Sequence, residues 1–206
     1  MTEDEAYRWL IAGAAPGADP FDAHVLASIL ALAIGEGGTA GRVCAHSGLD
    51  RGALDRLAEG MFPACREGLA AMADQDLPTA EIEQDSVRNL LEDHASGPSL
   101  LGRPLAAMVA RRAMEPDHLW QDLGLRNRNE LSALLDRHFA PLARQNTANM
   151  KWKRFFYRKI CEEEGFVLCA APSCSACGDF EMCFGEETGE ARLARVRNGL
   201  TAAGPA

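Results

Sequence analysis

The chain has 206 residues, of which 47% are hydrophobic and 6% aromatic, and its formal net charge is −9. This length and hydrophobic content suit a globular protein with one sizeable core or two small ones. The acidic N-terminus is unlike a secretory signal, and the longest apolar run, residues 23–34, is too short to span a bilayer. We therefore expect a cytoplasmic protein without a membrane segment.

Ala and Leu are abundant whereas β-branched residues are sparse, which favours packed helices over sheets. The predicted helices are marked by capping residues, by apolar residues at helical spacing, and by glycine or proline at their ends. In chain order they cover residues 2–13, 19–35, 39–46, 50–62, 79–95, 104–114, 127–140 and 150–164. No segment alternates polar and apolar residues for long enough to predict a strand.

The predicted fold class is therefore all-α, a helical domain with a C-terminal cysteine-rich metal-binding loop. We divide the chain into an N-terminal helical region at residues 1–99, a helical core with a basic and aromatic helix at 100–164, and a cysteine-rich cluster-binding loop with a C-terminal tail at 165–206.

Charge is distributed unevenly along the chain. Residues 1–102 carry 6 basic and 17 acidic side chains, residues 103–159 carry 12 basic and 5 acidic, and residues 160–206 carry 3 basic and 8 acidic. The basic middle block is either a set of solvated helix faces or a surface that attracts an anion or a partner.

A weak internal repeat relates residues 48–62 to residues 124–139, since each copy predicts a helix, a glycine turn and a second helix. This pattern suggests a DNA-binding helix-turn-helix, but any two helices packed across a glycine turn produce it. The first copy also lies in the acidic part of the chain, where phosphates would be repelled. Nucleic acid is therefore not an expected partner.

Four cysteines near the C-terminus carry the strongest functional signal. They lie within fifteen residues, with the spacing C-x4-C-x2-C-x5-C, and are Cys169, Cys174, Cys177 and Cys183. Thiolates are soft, charged ligands that converge only around a cation, so this segment predicts a metal centre.

The spacing of these cysteines bears on the identity of the metal. Structural zinc sites usually divide four ligands into two pairs a dozen or more residues apart, whereas compact ferredoxin motifs wrap a bulky cluster. The separations of four and five residues in this motif leave enough chain to surround a cluster larger than a single metal ion. The spacing therefore favours an iron–sulfur cluster, with zinc as the alternative.

The helix at 150–164 precedes this motif and combines aromatic with basic residues. Its aromatic stripe, which includes Trp152, Phe155 and Phe156, is expected to be core. Cys161 is expected to be a buried thiol, with a fifth ligand as the alternative. Cys44 and Cys65 are expected to behave as small hydrophobic residues. His118 is expected to be structural, as lone histidines usually are.

Three segments together resemble the NifQ family. They are HLWQDLGLRNRNELSALLDRHFAPLA from residue 118, NMKWKRFFYRKIC from residue 149, and the four-cysteine motif ending in CFG. The resemblance is dense over residues 100–185 and only general before them. It is carried by the cysteine motif together with the aromatic and basic helix, because neither alone is specific.

The resemblance implies a cytoplasmic carrier of a molybdenum–iron–sulfur cluster in nitrogen fixation. Such a protein takes up molybdenum derived from molybdate and passes it to the scaffold proteins that assemble the nitrogenase iron–molybdenum cofactor. By the same resemblance, Cys169, Cys174, Cys177 and Cys183 hold the cluster, a [3Fe-4S]-type cluster able to take up molybdenum.

The corner that accepts molybdenum must be exchangeable, because a donor that binds too tightly cannot deliver. The fourth cysteine, His118 or Cys161 is a candidate for a replaceable ligand there. The basic residues at 151–159 are candidates for attracting molybdate or stabilising an anionic cluster, so Lys153→Ala is expected to weaken only loading or docking.

No arrangement of residues typical of catalysis is present in the sequence. We therefore expect a metal-cluster carrier and not an enzyme. Two alternatives belong to other classes of protein: a zinc-stabilised interaction module, and a metal-sensing helix-turn-helix regulator.

Overall fold

The computed structural model describes residues 1–37, 42–74, 81–165 and 180–187, and in these ranges every regular element is helical. The α-helices are α1 (Glu3–Ala12), α2 (Pro20–Gly37), α3 (Val43–Ser47), α4 (Arg51–Met61), α5 (Arg66–Ala71), α6 (Ile82–Asp93), α7 (Gly102–Ala113), α8 (Leu119–Asp122), α9 (Arg128–His138), α10 (Ala140–Ala143), α11 (Trp152–Glu163) and α12 (Phe180–Phe184), with a 3-10 turn at Pro63–Cys65 between α4 and α5. The all-α prediction is confirmed for this part of the chain. Within it, no helix combines the length and apolarity needed to cross a membrane.

Helix starts follow the capping residues in the sequence. The Thr2 side chain accepts a hydrogen bond from the Glu5 amide at 3.2 Å, and the Glu5 carboxylate accepts one from the Thr2 amide at 2.8 Å. Asp19, Asp50 and Asn127 likewise accept hydrogen bonds from amides in the first turns of α2, α4 and α9. Local side-chain chemistry therefore sets these four boundaries.

The predicted elements differ from the observed ones mainly where a helix is short. Helices α5, α8, α10 and α12 have only four to six residues, too few to show a reliable apolar period. One of them corrects the predicted cysteine-rich loop, because Cys183 lies on α12. Cys169, Cys174 and Cys177 lie outside the described residues, so the rest of that loop stays a prediction.

Helix α2 lies at the centre of the core. Every residue from Ala23 to Ile34 is buried, and the helix packs against α1 on one side and α3 on another. A helix that is apolar all round has no solvent face, which explains why its sequence shows no polar stripe. The polar Ser28 fits because its hydroxyl donates to the His24 carbonyl oxygen at 2.8 Å.

The two copies of the internal repeat share backbone geometry. Gly48 and Gly124 adopt left-handed φ values of 79° and 71°. Phe62 and Phe139, the C-cap residues that follow α4 and α9, share a φ of −137°. A Cβ at Gly48 would lie 2.7 Å from the Ala107 carbonyl oxygen of α7. Each turn needs glycine because it must adopt positive φ, and each packs against a core helix, Gly124 against α2.

A charged network crosses this core. The fully buried Arg112 of α7 binds the Glu36 carboxylate of α2 through two nitrogens, at 2.6 and 3.0 Å. Its Nε also donates to the Asp122 carbonyl oxygen of α8 at 2.6 Å. His46 of α3 lies 3.3 Å from the same Glu36 carboxylate. The Arg112 guanidinium therefore connects α7 to α2 and α8, and α3 joins the same network through His46.

Replacing Arg112 by Leu should destabilise the fold. The substitution removes three hydrogen bonds and leaves a largely buried carboxylate without its cation, a loss of about 3–5 kcal/mol when one partner of a buried pair is removed. Urea unfolding followed by circular dichroism measures the change. Arg88→Ala is the control, because its pair with Asp85 is partly exposed and such pairs contribute about 0–1 kcal/mol. Equal losses in the two variants would contradict this assignment.

Candidate metal centre

The last cysteine of the motif is anchored to the start of α11. The Lys151 amide donates to the Cys183 carbonyl oxygen at 2.8 Å, and Lys151 Nζ donates to the Glu181 carbonyl oxygen at 3.0 Å. Arg154 approaches Met182, with 3.9 Å between Nη2 and Sδ. Lys151, the N-cap residue of α11, and Arg154 of α11 thus reach the residues just before Cys183, whose side chain is half-buried.

The aromatic face of α11 is core, as predicted. Trp152, Phe155 and Phe156 are 5%, 4% and 0% exposed, and the rings of Trp152 and Phe155 pack edge-on with centroids 5.7 Å apart. This face fixes α11 on the helical body, and through Lys151 it also fixes the position of α12.

A second anchor holds the chain just beyond α12. The Glu187 carboxylate, with a side chain only 5% exposed, accepts a hydrogen bond from Arg128 Nη1 at 2.7 Å. Arg128 Nη2 donates to the carbonyl oxygens of Asn149 and Met150 at 3.1 and 2.8 Å. The guanidinium therefore joins the segment before α11 to the segment after α12.

His118 lies beside this anchor. Its Nδ1 is 3.5 Å from the other Glu187 carboxylate oxygen, and its side chain is 30% exposed. Burial lowers the pKa of His118, and the charges of Lys151 and Lys153 lower it further, while Glu187 opposes the shift. The structure therefore places His118 beside Glu187, which follows Cys183 by four residues.

Lys153 has a structural partner that its expected role in loading or docking did not include. Its ammonium donates to the Asp122 carboxylate at 2.5 Å and to the Glu115 carbonyl oxygen, and Asp122 is only 1% exposed. Burial raises the pKa of Asp122, and the charge of Lys153 opposes this shift. Lys153 neutralises a buried carboxylate, which the sequence could not reveal because Asp122 precedes it by 31 residues.

The other cysteines separate by burial. Cys44 and Cys65 are 0% and 1% exposed, and burial raises the pKa of both thiols, so they are inert core residues as predicted. Cys161 is half-buried on α11, whereas the sequence predicted a buried thiol.

In the ranges that the structure describes, no three His, Cys, Asp or Glu side chains converge as metal ligands. Cys183 is the one member of the predicted ligand set that falls in those ranges.

Sequence reasoning missed Arg128 and Glu187. Arg128 follows the N-cap of α9 and looks like an ordinary surface residue, and Glu187 is one of several acidic residues after the motif. No periodic pattern links two residues 59 positions apart. The sequence feature that could have pointed to Glu187 is its position just beyond the cysteine motif.

Lys153→Ala should destabilise the protein much more than Lys159→Ala. Both lysines lie on α11 with side chains 19% exposed, but Lys153 pairs with a buried carboxylate and Lys159 with Glu162, which is 43% exposed. We expect a loss of about 3 kcal/mol or more for Lys153 and less than about 1 kcal/mol for Lys159. Urea unfolding measures both. Adding Asp122→Asn to Lys153→Ala should restore part of the loss, and no recovery would contradict the buried pair.

Comparison with known proteins identifies the family to which this chain belongs. The NifQ family model matches residues 25–185, a range that contains all four motif cysteines and begins well before the resemblance seen at residues 100–185.

Individual relatives agree with this match. The chain is 41% identical over 172 residues to the protein NifQ homolog of Sinorhizobium fredii, and the alignment covers 82% of this chain and 74% of the relative. It is 43% identical over 142 residues to protein NifQ of Rhodobacter capsulatus, covering 67% and 73%. With protein NifQ of Azotobacter vinelandii the identity is 42% over 105 residues, covering 51% and 54%. No solved structure matches the chain significantly. On this evidence the chain belongs to the NifQ family of nitrogen-fixation proteins.

Proposed function

We propose that this protein is a carrier that holds a molybdenum–iron–sulfur cluster and donates its molybdenum to assembly of the nitrogenase iron–molybdenum cofactor. The observation that carries the proposal is that the family match extends through the complete C-x4-C-x2-C-x5-C motif. The ligands of the cluster would be Cys169, Cys174, Cys177 and Cys183.

The residues around Cys183 fit a cluster of this kind. Thiolates are the usual ligands of iron–sulfur clusters, and nearby cations favour the charged thiolate over the thiol. Lys151 and Arg154 supply two such cations beside α12, and the half-buried position of Cys183 limits contact with water. The anchored α12 would hold one of the four ligands in place.

A [3Fe-4S]-type cluster held by the motif cysteines would supply the position at which molybdenum is taken up as cargo. Three thiolates would hold the iron corners, and the remaining corner would be held by ligands that exchange. The chain itself would keep the cluster in place and electrostatically balanced. On this proposal the protein is not an enzyme, and it works in the cytoplasm with molybdate as its source and cofactor-assembly scaffold proteins as its recipients.

The Cys177→Ala variant should lose nearly all of its iron and acid-labile sulfide, because a cluster that is short of one thiolate ligand is exposed and labile. The measurement is anaerobic purification from molybdate-fed cells, followed by counts of iron, molybdenum, zinc and acid-labile sulfide per chain. The wild-type protein should be brown and should contain iron, molybdenum and acid-labile sulfide but no zinc.

Cys44→Ala is the matched control, because it removes one thiol from the core and should leave the iron and sulfide contents unchanged. Cys161→Ala decides separately whether the half-buried thiol of α11 is a fifth ligand. If the wild-type protein contains stoichiometric zinc and no inorganic sulfide, it is a zinc-stabilised interaction module and the proposed carrier function is wrong. Full iron content in the Cys177 variant would overturn the ligand assignment.

A further inference from the structure

Three residues from distant parts of the chain form a polar relay that ends at an imidazole. Arg128 Nη1 donates to Glu187 Oε2 at 2.7 Å, and Glu187 Oε1 lies 3.5 Å from His118 Nδ1. Arg128 is held in turn by the carbonyl oxygens of Asn149 and Met150. Because the guanidinium is fixed at one end, the carboxylate has a defined position against the histidine.

This arrangement is typical of a histidine that binds a metal. Such histidines commonly present one ring nitrogen to a carboxylate, which fixes the tautomer and leaves the other nitrogen to act as the ligand. A carboxylate beside Nδ1 favours a proton on that nitrogen, so Nε2 is the nitrogen available to a metal. The His118 side chain is 30% exposed, which leaves it accessible, whereas that of Glu187 is 5% exposed.

The relay lies close to the anchored end of the cysteine motif. Glu187 follows Cys183 by four residues, which span at most about 14 Å of extended chain. Arg128, which holds Glu187, also donates to the carbonyl oxygen of Met150. The next residue, Lys151, donates its amide to the Cys183 carbonyl oxygen. The imidazole, the last motif cysteine and the first residues of α11 therefore lie in one region of the protein.

We propose that His118 is the exchangeable ligand of the molybdenum atom, with Glu187 and Arg128 as positioning residues. This inference rests on the proposed carrier function and adds the residue that holds the cargo. A neutral imidazole suits this role, since it binds molybdenum without adding negative charge to a thiolate-ligated cluster. It can also be displaced by a ligand on the recipient protein, whereas the thiolates keep the iron.

The test uses the full chain, purified anaerobically from molybdate-fed cells. The variants are His118→Ala, His118→Gln and Glu187→Gln. His94→Ala is the control, because His94 is a half-buried histidine at the end of α6 whose Nδ1 lies 2.9 Å from the Leu90 carbonyl oxygen. For each protein, the iron, sulfide and molybdenum contents and the molybdenum X-ray absorption spectrum are measured, with circular dichroism to confirm folding.

Both His118 variants should keep wild-type iron and sulfide, lose most of their molybdenum, and lack the imidazole scattering seen in the wild-type spectrum. Glu187→Gln should release molybdenum about 10–100 times more readily, as expected when the carboxylate partner of a metal-binding histidine is lost. The control should match the wild type.

Several results would overturn the inference. One is wild-type molybdenum content in the His118 variants, and another is a wild-type spectrum without imidazole scattering. Loss of iron together with molybdenum would show a general structural role for His118 and would also overturn it. If the wild-type protein contains no iron or sulfide, the proposed carrier function itself fails, and this outcome is distinct because it appears before any variant is compared.

Discussion

The structure depends on Asp122, a buried residue that joins two ion-pair systems. Its carbonyl oxygen accepts a hydrogen bond from Arg112, which binds Glu36, and its carboxylate pairs with Lys153. The connection runs from α2 through α7 and α8 to α11. Since a buried charge is costly without its partner, these helices hold one relative arrangement.

Through this connection the core determines the position of α12, the described end of the cysteine-rich segment. Helix α11 contributes aromatic residues to the core, while Arg154 and the N-cap residue Lys151 contact α12. The Arg128–Glu187 pair fixes the chain just beyond α12. The described end of the cysteine-rich segment is therefore held against the helical body at two points, and His118 lies beside the second of them.

The internal repeat has a structural meaning that differs from the one it first suggests. Gly48 and Gly124 share a left-handed conformation, and the helices after them end at phenylalanines with the same φ. Both glycines pack against helices of the core, at Ala107 and Ser28. The two copies thus share local geometry, and their glycines pack against different core helices, α7 and α2.

The sequence by itself determined the helical class, the capped starts of α1, α2, α4 and α9, the burial of the α11 aromatic stripe, and the cysteine motif. All of these depend on residues close together in the chain, whose spacing reports directly on local geometry. Tertiary structure alone decided the partner of Lys153, the Arg128–Glu187 anchor, the place of His118 beside that anchor, and the helical setting of Cys183. These pairings join residues 31 to 69 positions apart, or depend on a helix of five residues, so no local pattern specifies them. A lysine looks the same in the sequence whether it faces water or a buried carboxylate, and only packing distinguishes the two.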